Sequence, residues 1–336
     1  MAKAKKLPSG SWRVQLYIGK DDAVKRKYKS FTAPTKKEAE AAAALYSVQK
    51  KQKDAIGMTV VDAIDKYIES KENVLSPSTI SGYRIIRRNY MQGLMDVPLD
   101  EITNVLVQAE INKEALRLSP KTLRNAHGLL SAALGVYLPD LTLRTTLPAK
   151  QRKLRELPEP AEVFAAIRGT EIELPCMLAI WLGLRMSEVR GIRYSDISGN
   201  MLTIRSTKIT IEGEDVVRDQ TKTYYSTRQI RLPQHIRDLI KRQDGSGEYV
   251  VELSGQAIYK RFIRLLEREG IKPMRFHDLR HLNASVMHEL GVPDKYAMER
   301  GGWSTPDVLR NIYQHTFDDK RREIDEIIDK YFEGLL

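Results

Sequence analysis

The sequence predicts a mainly α-helical protein with small β-sheets, an α+β fold, and three observations support this class. Apolar residues recur at helical spacing through most of the chain. Alternating apolar and polar residues mark strands near the N-terminus, and a second β-rich stretch covers residues 200–233. With 336 residues, the chain is long enough for two or three domains.

The first domain is predicted over residues 1–55, as a small sheet with one helix. "SWRVQLYIG" (11–19) alternates between an apolar and a polar face, and "VKRKYKSF" (24–31) follows as a second, cation-rich strand. The helix "PTKKEAEAAAALYSVQKK" opens with Thr35 and Glu38 at capping-box spacing. We expect the exposed strand face to enter a DNA groove through Arg13, Tyr17, Lys27 and Lys29.

The net charge of +11 is concentrated at the N-terminus. Residues 1–54 hold fourteen Lys/Arg and five Asp/Glu, whereas the rest of the chain is nearly neutral. A basic module on a neutral body predicts a polyanionic partner, with nucleic acid first and an anionic membrane surface second. A solvated lysine-rich tail explains the charge equally well when charge is considered alone.

Composition excludes several classes of protein. The single cysteine, Cys176, lies in an apolar helix, so neither a disulfide framework nor a cysteine-based zinc site is available. No apolar run approaches the ~20 residues of a membrane span. The N-terminal "MAKAKKLPSGS" has no hydrophobic stretch behind its basic start, which argues against a secretion signal. We expect a protein of the reducing cytoplasm.

The second domain is predicted over residues 58–140 and looks all-helical. "LSPSTI" (75–80) and "LSPKTL" (118–123) each place a serine at the N-cap and a proline at the first helical position. Basic residues near these two helices are candidate phosphate contacts: Arg84, Arg87, Arg88, Lys121 and Arg124. Ordinary surface charges are the alternative. The proline-rich residues 141–157 are predicted to be a linker.

The third domain is predicted over residues 158–336. Within it, "MLTIRS", "VVRDQTKT" and "STRQIRLP" are predicted to be three antiparallel strands. "LPCMLAIWLGLRMSEVRGI" (174–192) predicts a buried helix that continues through Arg185. A guanidinium keeps its charge, and burying it without a partner is very costly, so Arg185 predicts an anion nearby.

Several polar residues of this domain carry the spacing of a site. Arg185 and Glu188 are one helical turn apart, as are His277 and Arg280. Lys222 falls in a predicted turn between the second and third strands, with Lys208 as its rival, and Trp303 and Tyr313 follow near the C-terminus. Each has an ordinary structural explanation when taken singly. The histidines at 277, 281 and 288 lack an H-E-x-x-H pattern, so we expect no metal site.

Taken together, the order R-x-x-E, K, H-x-x-R, W and Y resembles the tyrosine recombinase family, the phage-type integrases. The matching segments are "LGLRMSEVRGI", "TKT" with "STRQIRLP", "FHDLRHLNAS" and "GGWSTPDVLRNIYQHT", which span about 130 residues of the last domain. The first two domains resemble an arm-type DNA-binding domain and a helical, SAM-like core-binding domain, through pattern rather than motif.

The resemblance implies a chemistry for these residues. Arg185 and Arg280 clamp the non-bridging oxygens of one DNA phosphodiester, and their charge is best used in the pentacoordinate transition state. Tyr313 attacks the phosphorus, which forms a 3′-phosphotyrosine and releases a 5′-hydroxyl. A phenol is a weak nucleophile at neutral pH, so His277 serves as its proton acceptor or hydrogen-bond partner.

The remaining site residues receive supporting roles from the same resemblance. Lys222 protonates the leaving oxygen, Trp303 donates its indole N–H to a phosphate oxygen, and Glu188 orients Arg185. No metal, ATP or other cofactor is expected. Trp303 stands where many family members have histidine, "GGW" replaces a more frequent leucine-glycine-histidine, and Leu282 and Asn283 replace threonine and an aromatic residue or histidine.

The C-terminal segment "KRREIDEIIDKYFEGLL" (320–336) predicts an amphipathic helix. It packs on its own domain or, as the resemblance implies, on a neighbouring protomer, which links four subunits on two DNA duplexes. The expected partners are double-stranded DNA at arm and core sites, further copies of the chain, a recombination directionality factor and a host DNA-bending protein, within a bacterial cytoplasm.

Two other functions remain open at this point. A type IB topoisomerase shares the same residues, although an arm-type module and a C-terminal exchange helix favour a multi-subunit recombinase. A non-catalytic DNA-binding regulator would have lost a clamp arginine or the tyrosine, and this sequence keeps Arg185, Arg280 and Tyr313.

Overall fold

The computed structural model describes residues 3–20, 26–55, 57–150, 157–219, 227–303, 305–306, 329–332 and 334. The chain divides into two compact units, residues 1–152 and 153–336. The predicted mainly helical class with small sheets is confirmed. The division into three domains stays a prediction, although the first unit contains two separate hydrophobic clusters. Within the described residues, every helix is too short or too polar to cross a membrane.

The N-terminal part of the first unit is an antiparallel sheet covered by one helix. The strands are β1 (Lys5–Lys6), β2 (Trp12–Lys20) and β3 (Arg26–Ala33), in that order, and α1 (Lys36–Ala55) follows. The predicted capping box is present, because Thr35 N donates to Glu38 Oε2 and Glu38 N donates to Thr35 Oγ1. The core is small: Val14 of β2 packs with Ala39 and Ala43 of α1.

Four α-helices are described in the rest of the first unit: α2 (Val60–Lys71), α3 (Pro77–Asn89), α4 (Asn104–Ala115) and α5 (Pro120–Tyr137). The two predicted helix starts are confirmed, since Ser76 and Ser119 accept hydrogen bonds from the backbone N–H groups of Thr79 and Thr122. Apolar residues from all four helices build one core. Stability of this region therefore comes from burial of one face of each helix.

The predicted linker has no regular secondary structure over residues 141–150, but part of it is packed. Asn104 of α4 donates to the carbonyl of Thr142 and accepts from the backbone of Arg144. Gln108, one turn later, makes the same two bonds with the backbone of Thr146. Two side-chain amides thus hold the segment along α4, and Leu141, Leu143 and Leu147 pack on the helical core.

The second unit is built around a buried helix pair. Up to residue 303, its described α-helices are α6 (Pro160–Ile167), α7 (Glu173–Ile180), α8 (Met186–Gly191), α9 (Gln234–Lys241), α10 (Gly255–Arg268), α11 (Phe276–Glu289) and α12 (Asp294–Gly301). Every residue of α7 is buried, and α7 packs along α11. This pairing places the N-terminus of α8 beside the polar residues of α11.

The prediction of one continuous helix through Arg185 is wrong. α7 ends at Ile180, and α8 begins at Met186 with Arg185 as its N-cap residue. Gly183 makes the break with a φ of +69°, and a Cβ there would lie 2.7 Å from Asn283 Oδ1. Only glycine adopts this backbone readily and leaves room for the amide. The break turns Arg185 out of the apolar core.

The strands described in the second unit form two sheets. β4 (Ile197–Ser198), β5 (Met201–Ile204) and β8 (Arg228–Arg231) make an antiparallel sheet, and β6 (Thr207–Ile211) pairs only with β7 (Glu214–Arg218) among the described strands. The three predicted strands correspond to β5, β7 and β8, and β6 was missed. Glu212 and Gly213 both have positive φ and form the tight turn of this hairpin.

Candidate active site

Arg280 of α11 is the most deeply buried charge of the site, with 1% of its surface exposed. Its Nη1 donates to the backbone carbonyls of Gly183 and Gly301, and its guanidinium lies 4.1 Å from the centre of the Trp303 ring. Its Nη2 is buried and has no hydrogen-bond partner among the residues that the structure describes. Burial, with the Arg185 charge nearby, lowers the pKa of Arg280 to about 9, so the group is still a cation at neutral pH.

Arg185 stands beside Arg280 at the N-terminus of α8. Its Nη1 donates to Glu188 Oε1 at 2.7 Å, and its Nη2 donates to the carbonyl of Gly302 at 3.0 Å. The predicted Arg185–Glu188 pair is therefore present, in a cap rather than on a helix face. About a third of the Arg185 side chain remains exposed.

Glu188 holds a second arginine that sequence reasoning missed. Arg228 of β8 donates to Glu188 Oε2 at 3.0 Å, and both side chains are almost fully buried. Burial raises the pKa of Glu188, but the charges of Arg228 and Arg185 outweigh it and lower that pKa to about 2. Buried and exposed residues alternate along β8, and Arg228 lies on the same buried face as Ile230. This alternation is the feature of the sequence that could have indicated a buried Arg228.

Three successive backbone carbonyls at the end of α12 each accept a hydrogen bond from a different arginine. Arg228 Nε donates to the carbonyl of residue 300, Arg280 Nη1 to that of residue 301, and Arg185 Nη2 to that of residue 302. The last carbonyls of a helix lack intrahelical partners and carry partial negative charge. We call this segment, residues 300–302, the carbonyl trio. It gathers the cations of α8, α11 and β8 around one point.

His277 lies one turn before Arg280 on α11 and is exposed to solvent. Desolvation within the cluster, and then the Arg280 charge, lower the pKa of His277 below its ordinary value. Its ring lies 4.9 Å from that of His281, edge to face. His277 is therefore neutral at physiological pH and able to accept a proton.

Arg185 and His277 line a cavity of about 600 Å³ in the second unit. Lys208 and Arg190 line the same cavity, as do Ser254 and Gly255. Three cations and a neutral imidazole around one open space favour an anionic ligand, for which phosphate is a suitable candidate.

Comparison with known proteins agrees with this chemistry. Residues 161–320 match the family model described as "Phage integrase family". The chain is 23% identical to a tyrosine recombinase XerC-like protein of Caldanaerobacter subterraneus subsp. tengcongensis, over 96% of each chain. It is 26% identical to the integrase of Mycobacterium phage D29, over 77% of this chain and 75% of the phage protein.

The chain carries a tyrosine recombinase domain of the phage integrase family over residues 161–320. Its fold is similar to that of a lambda integrase tetramer bound to a Holliday junction, with a TM-score of 0.62 at 18% identity, over 90% of this chain and 96% of that one. Tyrosine recombinases are DNA strand-transferring enzymes. The resemblance inferred from the five motifs is confirmed.

Five of the predicted site residues of the recombinase are brought together: Arg185, Glu188, His277, Arg280 and Trp303. Trp303 is 6% exposed and covers the Arg280 guanidinium with its ring, so its indole N–H bond to phosphate stays a prediction. Lys222 and Tyr313 lie outside the described residues, and their roles stay predictions.

The predicted DNA-reading face of the N-terminal sheet needs one correction. Arg13 and Tyr17 are exposed on the open face, but Lys29 pairs with Leu16 and points toward α1, where its Nζ lies 3.9 Å from the centre of the Tyr46 ring. Tyr28, directly opposite Tyr17, takes the place on the open face, and their rings meet edge to face. A one-residue change of register moves a side chain to the other face, and the register of these two strands could not be predicted from their residues alone.

The side chain of Lys27 lies outside the described residues.

The predicted phosphate contacts of the helical part of the recombinase differ in availability. Arg84 forms an ion pair with Glu72, the C-cap residue of α2, and Arg87 forms one with Asp65 of α2. Arg124 donates to the carbonyl of Pro148. The two candidates exposed without a described ion pair are Arg88 and Lys121. DNA contact by these five residues stays a prediction.

Proposed function

We propose that this recombinase cuts and rejoins DNA at specific sites through a covalent 3′-phosphotyrosine at Tyr313, and so integrates and excises a phage or other mobile element. One observation carries the proposal. Arg280 presents a buried nitrogen with no described partner beside Arg185 and neutral His277. Such a nitrogen is costly to bury unless a ligand completes it, and a phosphate oxygen is an acceptor of the right charge.

The clamp acts mainly on the transition state. Arg280 and Arg185 donate to the two non-bridging oxygens of the scissile phosphate. Charge on these oxygens increases as the phosphorus becomes pentacoordinate, so the interaction strengthens during the reaction. The carbonyl trio fixes both guanidiniums before DNA arrives, and little reorganisation remains for the chemical step.

Covalent transfer is balanced in atoms and charge. The Tyr313 oxygen forms a bond to phosphorus while its proton passes to His277. The bond from phosphorus to O5′ breaks, and a lysine ammonium gives that oxygen a proton. Attack by another 5′-hydroxyl on the phosphotyrosine reverses these steps and rejoins DNA. Glu188 keeps Arg185 and Arg228 in place, and Trp303 shields Arg280 from water.

Assembly on DNA follows from the chemistry of exchange, which needs two duplexes and four cleavages. We propose a homo-tetramer in which residues 320–336 of one copy dock on the next. Of this segment the structure describes residues 329–332, which are helical, and residue 334. A directionality factor and a host DNA-bending protein remain further proposed partners, in the cytoplasm of a bacterial host.

Trapping of DNA on the purified protein tests the proposal. Random-sequence duplexes with a nick near the centre lose a short strand on cleavage, so the covalent adduct accumulates. We expect adducts that survive denaturation and a released short strand that begins with a free 5′-hydroxyl, and sequencing of the trapped DNA then gives the cleavage site.

Tyr313→Phe is expected to form no adduct, whereas Tyr296→Phe, a change at an exposed tyrosine of α12, keeps it. Adducts from Y313F would overturn the nucleophile assignment, and their absence from the wild type would favour a non-catalytic regulator. Recombinant products from two distinguishable duplexes separate a recombinase from a topoisomerase, which only relaxes supercoils.

A further inference from the structure

Arg228 is a buried cation of the second unit that lies behind the active-site cavity. It begins β8, and its side chain is 5% exposed. The described residues that line the cavity include Arg185 but not Arg228. A buried guanidinium needs polar partners, and Arg228 finds them in Glu188 and in the backbone carbonyl of residue 300. Arg228 can therefore affect a ligand in the cavity only through the groups that it contacts.

Glu188 is the first of these groups, and both of its carboxylate oxygens accept hydrogen bonds. Oε1 accepts from Arg185 Nη1 at 2.7 Å, and Oε2 accepts from the Arg185 backbone N–H and from Arg228 Nη2, each at 3.0 Å. Arg228 Nη1 also approaches Oε1, at 3.4 Å. The last torsion of a glutamate side chain has a broad range, so its carboxylate turns easily unless it is held. The two nitrogens of the Arg228 fork restrict this torsion, and with it the position of the oxygen that Arg185 contacts.

The carbonyl trio is the second group. Arg228 Nε donates to the carbonyl of residue 300 at 2.9 Å, and Arg185 Nη2 donates to the carbonyl of Gly302, two residues later, at 3.0 Å. A Cβ on Gly302 would lie 2.8 Å from Arg228 Nη1, so the Arg228 fork packs directly against this turn. Both described acceptors of the Arg185 guanidinium thus belong to groups that Arg228 contacts.

We propose that Arg228 is a positioning residue, which fixes the two acceptors of Arg185 and so sets the direction in which Arg185 presents its remaining N–H groups to the scissile phosphate. This inference rests on the proposed function. A guanidinium has five N–H donors in a rigid fork, and two nitrogens of Arg185 already donate to Glu188 and Gly302. Rotation of that fork would move its free donors away from the phosphate oxygens, and a misplacement of about 1 Å costs up to ~100-fold in rate. Arg228 itself makes no bond to DNA in this scheme.

Single-turnover cleavage of the nicked duplex measures this effect. Arg228→Met removes the charge and nearly keeps the length of the side chain. We expect it to slow adduct formation at saturating DNA by about tenfold or more, while the dissociation constant for the same duplex stays within about threefold of wild type. Arg228→Lys keeps the buried charge but loses the planar fork, and we expect it to slow the same step about fivefold. The matched control is Arg231→Met, a change at an exposed arginine of the same strand, which should leave both the rate and the affinity unchanged.

A double-mutant cycle with Arg185→Lys separates positioning of Arg185 from general support of the fold. In the R185K background the Arg185 fork is no longer there to be placed. We therefore expect R228M to slow cleavage further by less than about threefold, and R228K by less than about twofold. Adduct accumulates on the nicked duplex, so the slow rates of these variants are measured by long incubation.

The cycle decides between the two roles. Losses that multiply in the double variants would show that Arg228 acts independently of Arg185 and would overturn the proposal. Unchanged rates in R228M and R228K would also overturn it, as would a loss of DNA affinity that accounts for the whole defect. If R228M melts below the assay temperature, the cycle with R228K gives the answer. If the wild type forms no adduct, it is the proposed function that fails.

Discussion

Glu188 is the residue on which the positive charges of the site depend. It is 2% exposed and accepts from both Arg185 and Arg228. Removing one partner of a buried ion pair is far more costly than removing one partner of an exposed pair, because the remaining charges lose their compensation. Without the Glu188 carboxylate, the guanidiniums of Arg185 and Arg228 would repel each other and that of Arg280.

Glu188→Gln is therefore expected to destabilise the protein. The pKa of Glu188 is about 2 in the folded state, against an ordinary value of 4.5, and this difference corresponds to about 3 kcal/mol. Because the folded pKa is the lower one, the stabilisation is complete above pH 4.5 and is lost as the pH falls toward 2. Urea unfolding of both proteins at several pH values measures it.

Glu171→Gln is the matched control, because its ion pair with Arg261 is exposed and should contribute less than about 1 kcal/mol. An equal loss of stability for E171Q and E188Q would contradict the role given to Glu188.

His277 is expected to determine how the reaction rate falls at low pH. Its pKa is lowered, so the neutral form that accepts the tyrosine proton predominates above pH 6.5 and is lost only at lower pH. We expect the rate of adduct formation to be flat from pH 7 to 8 and to fall about tenfold per pH unit below the lowered pKa. Single-turnover rates across this range, with His277→Gln for comparison, check it. An unchanged acid limb in H277Q would assign that limb to another group.

At the scale of elements, the end of α12 links the site to the segment that leads to Tyr313. Gly302 has a φ of +67°, and a Cβ there would lie 2.8 Å from Arg228 Nη1. We expect Gly302→Ala to lower stability and to slow cleavage at least tenfold, since the carbonyl trio would shift.

Gly291→Ala is its matched control. Gly291 also follows a helix, with a φ of +68°, but no heavy atom lies within 4 Å of its added Cβ. G291A should show the backbone cost alone, about 1 kcal/mol, with normal cleavage. Comparison of the thermal melts and cleavage rates of the two variants separates backbone strain from displacement of Arg228. Equal losses of stability and of cleavage rate in G302A and G291A would exclude displacement of Arg228.

The register of the N-terminal sheet predicts which side chains reach DNA. Tyr28 shares the open face with Arg13 and Tyr17, whereas Lys29 lies over Tyr46 on the other side. We expect Tyr28→Ala to weaken binding to arm-site DNA about tenfold and Lys29→Ala to weaken it less than threefold. Fluorescence anisotropy at fixed salt measures both affinities. A larger loss for Lys29→Ala than for Tyr28→Ala would mean that DNA contacts the α1 side of the sheet.

Features that depend on neighbouring residues were predictable from the sequence. Contacts between residues far apart in the chain were harder to predict. Serine and proline at positions 76, 77, 119 and 120 define helix starts because a cap needs only its neighbours. The break at Gly183 depends on the side chain of Asn283, a hundred residues away, and the face of Lys29 depends on strand register. The site motifs were found because each is local, whereas Arg228 joins the site only through the fold.

At the scale of the whole molecule, the two compact units adjoin at residues 152 and 153, inside the predicted linker. The neighbouring sequence "KQRKLRE" (150–156) offers four sites to trypsin. We expect limited digestion to cut here first and to leave two stable fragments, because each unit has its own core. N-terminal sequencing of the larger fragment checks this. First cleavage inside either core would contradict the division.

The carbonyl trio has a consequence for how this protein can change over time. Three arginines of the second unit donate to main-chain oxygens. Every amino acid supplies such an oxygen, provided that it can adopt the same backbone geometry. Side-chain identity at position 300 is thus free to drift as long as the chain path is kept, whereas one inserted or deleted residue between 300 and 302 would shift all three attachments together. Position 300 should therefore tolerate substitution, whereas residues 300–302 together should not tolerate a change of length.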